Sequence, residues 1–168
     1  KLFASKDDAP QQDEWTSYEG GDIRLDHPLG WTARSVPNPP KNRRDWTVDP
    51  PNAKDDYTGT IFIKELSAGI KQMSFDEIIS NEKKWPGVRL VNTPKQLKLK
   101  VGRCISYPRE LQEGGGYLAT LHTHCYRDNG NYVDIWADIG RYKDNTKPDA
   151  VSIRNSLIYE RVLNRIEF

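Results

Sequence analysis

His122 and His124 stand two residues apart in the run Leu121-His-Thr-His-Cys125. If that run is a β-strand, its two-residue period turns both imidazoles to one side. A pair so placed supplies two nitrogen ligands to a metal ion once a third arrives from elsewhere, from His27 or a carboxylate. The competing reading is two ordinary half-buried strand histidines, each bonded to a neighbour. Further on, Asp134 and Asp138 flank Trp136. Carboxylate, aromatic ring and carboxylate together occur in sugar-binding and glycoside-cleaving sites. Four residues along a strand span about 13 Å at the usual rise per residue. That is wider than either glycosidase geometry, so these two are read as a solvated face.

Two further groups carry chemistry of a different kind. Lys41, Arg43 and Arg44 lie beside Trp46 and can contact phosphates or an acidic partner. Asp45, Asp49, Asp55 and Asp56 neutralise them locally, which argues against nucleic acid. Arg and Trp are the usual anchors of protein interfaces, so Arg43, Arg44 and Trp46 are expected to touch a protein partner. Cys104 and Cys125 are too few for a disulfide framework and lack zinc-site spacing. They fall on neighbouring strands, nearly opposite each other. Either a cross-strand disulfide in an oxidising compartment or two buried free thiols fits them.

Motifs that would name a reaction are missing from the sequence. There is no Gly-x-Ser-x-Gly, His-Glu-x-x-His, Cys-x-x-Cys or Gly-x-Gly-x-x-Gly. Gly114-Gly115-Gly116 lacks the Lys-Ser/Thr of a phosphate loop and joins two strands instead of a strand and a helix. No catalytic residue is assigned. The chain of 168 residues holds 25 Lys plus Arg against 24 Asp plus Glu, a net charge of +1. No field of one sign draws in nucleic acid or an anionic membrane. Mean hydropathy is low, at −0.81, but 5 Trp, 8 Tyr and 4 Phe offset it with large rings. No apolar run approaches the roughly 20 residues a membrane-spanning helix needs. The chain starts at Lys1 without an initiator Met, compatible with removal of a signal peptide.

The elements that must position these residues follow from periodicity. Residues 1–14 are polar and aperiodic, a flexible leader ahead of a single domain over 15–168. Trp15 and Tyr18 open a short ordered segment. Strands at 22–26 and 31–36 form a hairpin around the His27–Gly30 turn. Residues 37–56 hold five prolines and read as a long surface loop tethered by Trp46 and Val48. A strand covers 57–66. Ser74-Phe-Asp-Glu77 is a capping box opening a helix whose Phe75, Ile78, Ile79 and Trp85 share one face. A short edge strand at 88–90 and a strand over 97–101 lead into a meander over 101–140. Its last bend is Asn129-Gly130 as a two-residue turn, which places His124 opposite Ile135 and His122 opposite Ala137, on the main core face. A helix over 147–157, capped by Thr146 and with Ala150, Ile153 and Leu157 inward, precedes a tail that returns as a short strand or docking segment.

The order hairpin, loop, strand, capped helix, meander, helix and tail resembles the PsbP-like superfamily. That group includes the extrinsic subunit P of photosystem II and DcrB-type envelope proteins. The matching stretches are Ile23-Arg-Leu-Asp-His-Pro-Leu-Gly-Trp31, Ser74-Phe-Asp-Glu77, Val101-Gly102-Arg103 with the meander, and Arg154-Asn-Ser-Leu157. The resemblance covers about Gly20 to Val162. It implies an α+β fold, an antiparallel sheet with helices packed on its faces in an αβα sandwich. It also implies a non-enzymatic binding or assembly module, often exported. The resulting expectation is an exported, non-catalytic module that contacts a protein through the 37–56 loop and exposed aromatics. The alternative is a small-molecule or metal-binding protein, or an enzyme, centred on His122 and His124.

Overall fold

A computed structural model of the chain describes residues 14–51, 53, 58–68, 72–143 and 149–168. The expected leader and the Thr146 cap lie outside the described residues, except for Glu14. Twelve elements follow in order: β1 (Trp15–Gly20), β2 (Ile23–Pro28), β3 (Thr32–Ser35), β4 (Arg43–Asp49), β5 (Ile61–Leu66), α1 (Phe75–Glu82), β6 (Val88–Leu90), β7 (Lys95–Leu99), β8 (Gly102–Glu113), β9 (Gly116–Tyr126), β10 (Tyr132–Tyr142) and α2 (Ala150–Leu163). The main sheet runs β3-β4-β5-β10-β9-β8-β6, with β7 also on β8. β1 and β2 form a separate ribbon. All pairings are antiparallel.

The two faces of the sheet bury different things. On one, Trp46, Val48, Ile61, Ile63, Leu121, Val133, Ile135 and Ile139 pack with Ile158, Tyr159 and Val162 of α2 and with Ile23 and Leu25 of β2. On the other, Ile78 of α1 meets Ile105 and Tyr107, with Phe75, Ile79 and Leu90 beside them. The architecture is the expected αβα arrangement, with a large core under α2 and a small one under α1.

Four expectations are corrected. The segment read as a 37–56 loop contains β4, and Trp46 is 2% exposed in the large core. The prolines flank the strand at 37, 39, 40, 50 and 51, leaving every residue from 43 to 49 free to donate to the sheet. The 22–36 hairpin does not form: β2 pairs with β1 and β3 pairs with β4, so the His27–Gly30 bend carries the chain from one sheet to the other. α1 stops at Glu82, and Trp85 is exposed at 65%. α2 is capped by Asp149, whose carboxylate accepts from Ser152 N at 2.7 Å, and it continues to Leu163. Its buried side is Ser152, Asn155, Ser156, Ile158, Tyr159, Val162 and Leu163, with Ala150 outside.

The turns explain the register. Gly114 and Gly115 both take positive φ, as the two central residues of a tight mirror-image turn require. Cys104 then faces Cys125, and Ile105 and Tyr107 face His124 and His122. The next bend differs from the expected two-residue turn. Gly130 N donates to Arg127 O at 3.0 Å and Arg127 N to Asn131 O at 2.9 Å, closing a three-residue loop over 128–130 with Gly130 at φ 87. This is a type I turn followed by a left-handed glycine. β10 therefore slides by one residue, and one residue turns every side chain over. His124 pairs with Asp134 and His122 with Trp136, instead of Ile135 and Ala137. Both histidines face α1, away from the main core.

Candidate functional site

Three strands and one helix end converge on the histidines. β9 contributes His122 and His124, β8 contributes Tyr107 and Arg109, β10 contributes Tyr132, Asp134 and Trp136, and Glu82 is the last residue of α1. Glu82 arrives because Ile78, one turn earlier on the same helix face, is pinned against Ile105 and Tyr107. The capping box holds that helix in place: Glu77 N donates to Ser74 Oγ at 3.2 Å and Ser74 N to Glu77 Oε2 at 2.7 Å.

The rings form a connected stack. Tyr107 lies parallel to His122 and His124 with centroids 5.8 and 5.7 Å away. Tyr132 stacks on His124 at 5.9 Å and meets Tyr126 at 5.5 Å, which in turn faces Phe75 of α1. Across the sheet Trp136 stacks on Phe62 at 5.1 Å under the Lys64 ammonium. Cross-strand aromatic pairs of this kind are the ordinary stabilising unit of a sheet.

Inside the stack the polar contacts are specific. His124 Nε2 is 2.8 Å from the Tyr107 hydroxyl. His124 Nδ1 meets the Tyr132 hydroxyl and lies 3.4 Å from Asp134 Oδ1. Arg109 donates to Glu82 Oε2 at 2.6 Å and to Thr120 Oγ1 at 3.2 Å. Burial holds the His122 imidazole well below its ordinary pKa, with the Arg109 charge adding to the effect. Burial likewise brings His124 down to about 4 and Asp134 up to about 6. Desolvation pushes the Tyr107 and Tyr132 phenols upward. Both imidazoles are thus neutral at pH 7, the form in which a nitrogen lone pair is free to accept a proton or bind an ion.

The structure gathers some of the residues singled out from sequence and separates others. His122, His124, Asp134 and Trp136 share one face. His27 does not join them: it sits on β2 in the other sheet, its Nδ1 3.0 Å from Pro28 O. Glu82 takes the third position instead. Its one sequence signal is its place four residues after the inward Ile78. Arg43, Arg44 and Trp46 are not a surface cluster. Trp46 donates its indole N–H to Gly20 O at 3.1 Å inside the core. Arg43 closes onto Asp45, and Arg44 bridges Glu65 and Asp22. Cys104 and Cys125 are fully buried, directly opposed and joined as a disulfide behind the histidine face.

Comparison with known proteins finds likeness only in shape. No family model matches the chain. No curated protein matches it either. Among solved structures it is similar to cyanobacterial PsbP, CyanoP, from Synechocystis sp. PCC 6803, with a TM-score of 0.54 at 9% identity over 94% of each chain. LpqN, involved in cell envelope biogenesis of Mycobacterium tuberculosis, gives a TM-score of 0.44 at 11% identity over 94% of this chain and 91% of that one. PA94 of Pseudomonas aeruginosa, of unknown function, gives 0.37 at 14% over 77% and 83%. The order of elements, the antiparallel sheet and the likeness to CyanoP agree: the chain has a PsbP-like α+β fold.

Proposed function

We propose that this protein is an exported, non-catalytic binding module whose partner is another protein, met by the layer that carries α1. The observation that carries the reading is Trp85, a large ring left 65% exposed in the turn after α1. Met73 and Val91, each 38% exposed, lie in the same segment on either side of the helix. Three of the five exposed large apolar side chains among the described residues fall on this segment, the others being Leu29 and Val151. An exposed apolar patch marks an interaction surface, and tryptophan is a frequent energetic anchor of such surfaces. This surface replaces Arg43, Arg44 and Trp46, which are spent on the protein's own core and ion pairs. The buried Cys104–Cys125 bridge supports export, since such bonds persist in oxidising compartments. Among the described residues no helix is long and apolar enough to cross a membrane.

The test places a photo-crosslinking phenylalanine analogue at position 85 and irradiates the protein in an extract of its native compartment. The expected result is one discrete adduct. Its purified partner then binds the native chain and binds Trp85→Ala at least tenfold more weakly, with the thermal midpoint unchanged. No adduct, or equal affinity of Trp85→Ala for the adduct's partner, defeats the assignment.

A further inference from the structure

Buried polar atoms without a hydrogen bond are rare among the described residues, and half of them lie beside one histidine. Among the described residues four side-chain atoms are in that condition, and two of them, His122 Nε2 and Asp134 Oδ1, flank His124. Such atoms call for a physical explanation, and a bound ion is one that would meet them. Glu82, His122 and His124 each offer one ligand atom, and the three atoms lie within 4.8 Å of one another. We infer that these three residues form a site for a divalent transition-metal ion of the zinc class, held by two imidazole nitrogens and one carboxylate oxygen.

The donor set selects the class of ion. Two imidazoles with one carboxylate suit zinc, cobalt, nickel or copper, whereas calcium and magnesium take all-oxygen shells. Metal–ligand bonds of about 2.0–2.2 Å bring ligand atoms to about 3.3 Å from one another. The cluster must therefore draw in, and Glu82 is the member free to do so, since it ends a short helix while the histidines are fixed in the central strands. The space is now held by the Tyr107 hydroxyl, which contacts His124 Nε2 at 2.8 Å and hydrogen-bonds to Glu82. An ion displaces that hydroxyl or takes it as the fourth ligand.

The surroundings already have the form of a second coordination shell. His124 presents Nδ1 to Tyr132 and, at 3.4 Å, to the unpaired Asp134 oxygen. A carboxylate behind a ligating imidazole fixes its orientation by accepting a hydrogen bond from the N–H turned away from the metal. Binding through Nε2 requires the tautomer with the proton on Nδ1, on the side of Asp134, and the ring stays neutral. Burial keeps both imidazoles unprotonated beforehand. Two cations oppose the ion, Arg109 on Glu82 and Lys64 at 3.9 Å from Asp134. Two carboxylates, Glu82 and Asp134, balance them. The metal site is inferred without the partner surface at Trp85, although Trp85 N donates to Glu82 O at 3.2 Å in the same turn.

The test uses the full-length, disulfide-intact chain after dialysis against chelator, with Zn(II) as probe in calorimetric titration and Co(II) as a spectroscopic stand-in. The expected result is one ion per chain, a raised thermal midpoint reversed by chelator, and the visible absorption of low-coordinate Co(II). Glu82→Gln and His122→Gln are expected to weaken Zn(II) at least tenfold. Should a variant not fold, the native chain decides. Imidazole nitrogen NMR with and without Zn(II) is expected to move His122 and His124 and leave His27 still. No binding, a shift at His27 alone, or Zn(II) affinity unchanged in both folded variants overturns the site.

Discussion

Glu65 shows how a charged residue is absorbed by the ion pairs at the edge of the core. Its side chain, 3% exposed, accepts from Arg44, Arg127 and Asn131 at the edge of the large core. Burial alone would raise its pKa, but the hydrogen bonds from Asn131, Arg127 and Arg44 outweigh desolvation and hold the carboxyl below its usual value. Removing the charge strands two guanidiniums that are only partly solvated, so Glu65→Gln is expected to cost about 2–3 kcal/mol at pH 7. The sign of the pH dependence follows from the lowered value. The contribution is complete above the ordinary glutamate pKa and is lost as pH falls through the lower, folded one. Urea unfolding of both forms should show a gap that is full at pH 7 and narrows toward pH 3; a gap constant across that range would mean that charge is not the cause.

At the scale of elements, two contacts decide how the layers lock. α2 lies on β10 where Gly140 leaves room, and a Cβ there would overlap the Ser152 hydroxyl. Gly140→Ala is expected to destabilise by about 1–3 kcal/mol, the range for overpacking a tight contact. Adding Ser152→Gly should restore part of the loss. Thermal melts of the single and double variants give the coupling, and strict additivity would place the strain elsewhere. The second contact is the bridge between β8 and β9, closing 21 residues of chain. Replacing both cysteines by alanine is expected to lower stability by about 3 kcal/mol through the freed unfolded chain. Equal urea midpoints for the oxidised native chain and this variant would refute that.

The tail binds the whole molecule together. Ile166 is fully buried, Arg24 and Glu167 exchange both backbone hydrogen bonds at 2.8 Å, and Phe168 meets Trp46 edge-on at 5.6 Å while Arg127 lies over its ring. These three residues clamp the β1–β2 ribbon onto the core under α2. Deleting 166–168 should cost about 2–4 kcal/mol from apolar burial. Amide exchange is expected to quicken first in β1 and β2 and last in β8–β10. Uniform quickening across the sheet would mean that the tail does not act through the ribbon.

What the sequence settled by itself was whatever a short window controls. The capping box over Ser74–Glu77, a glycine-rich turn between two strands of the meander, and the near opposition of the two cysteines were readable because each depends on neighbours a few residues away or on one tight turn. The structure supplied the exact register that sets Tyr107 against His122. The general class, an antiparallel sheet between helices, was what the resemblance of that order of signals to the PsbP-like superfamily implied. Tertiary structure decided the rest. A strand hidden between prolines was legible only once β3 and β5 were there to flank it, because a strand is stabilised by its partners more than by its own residues. The face of β10 hung on one extra residue in the 128–130 bend, a choice between two turns of similar local preference that the buried row Val133, Ile135, Ala137 resolves by packing under α2. Glu82, forty positions upstream of the histidines, reached them only when the α1 layer closed, since side chains so distant in the chain meet through packing and not through spacing.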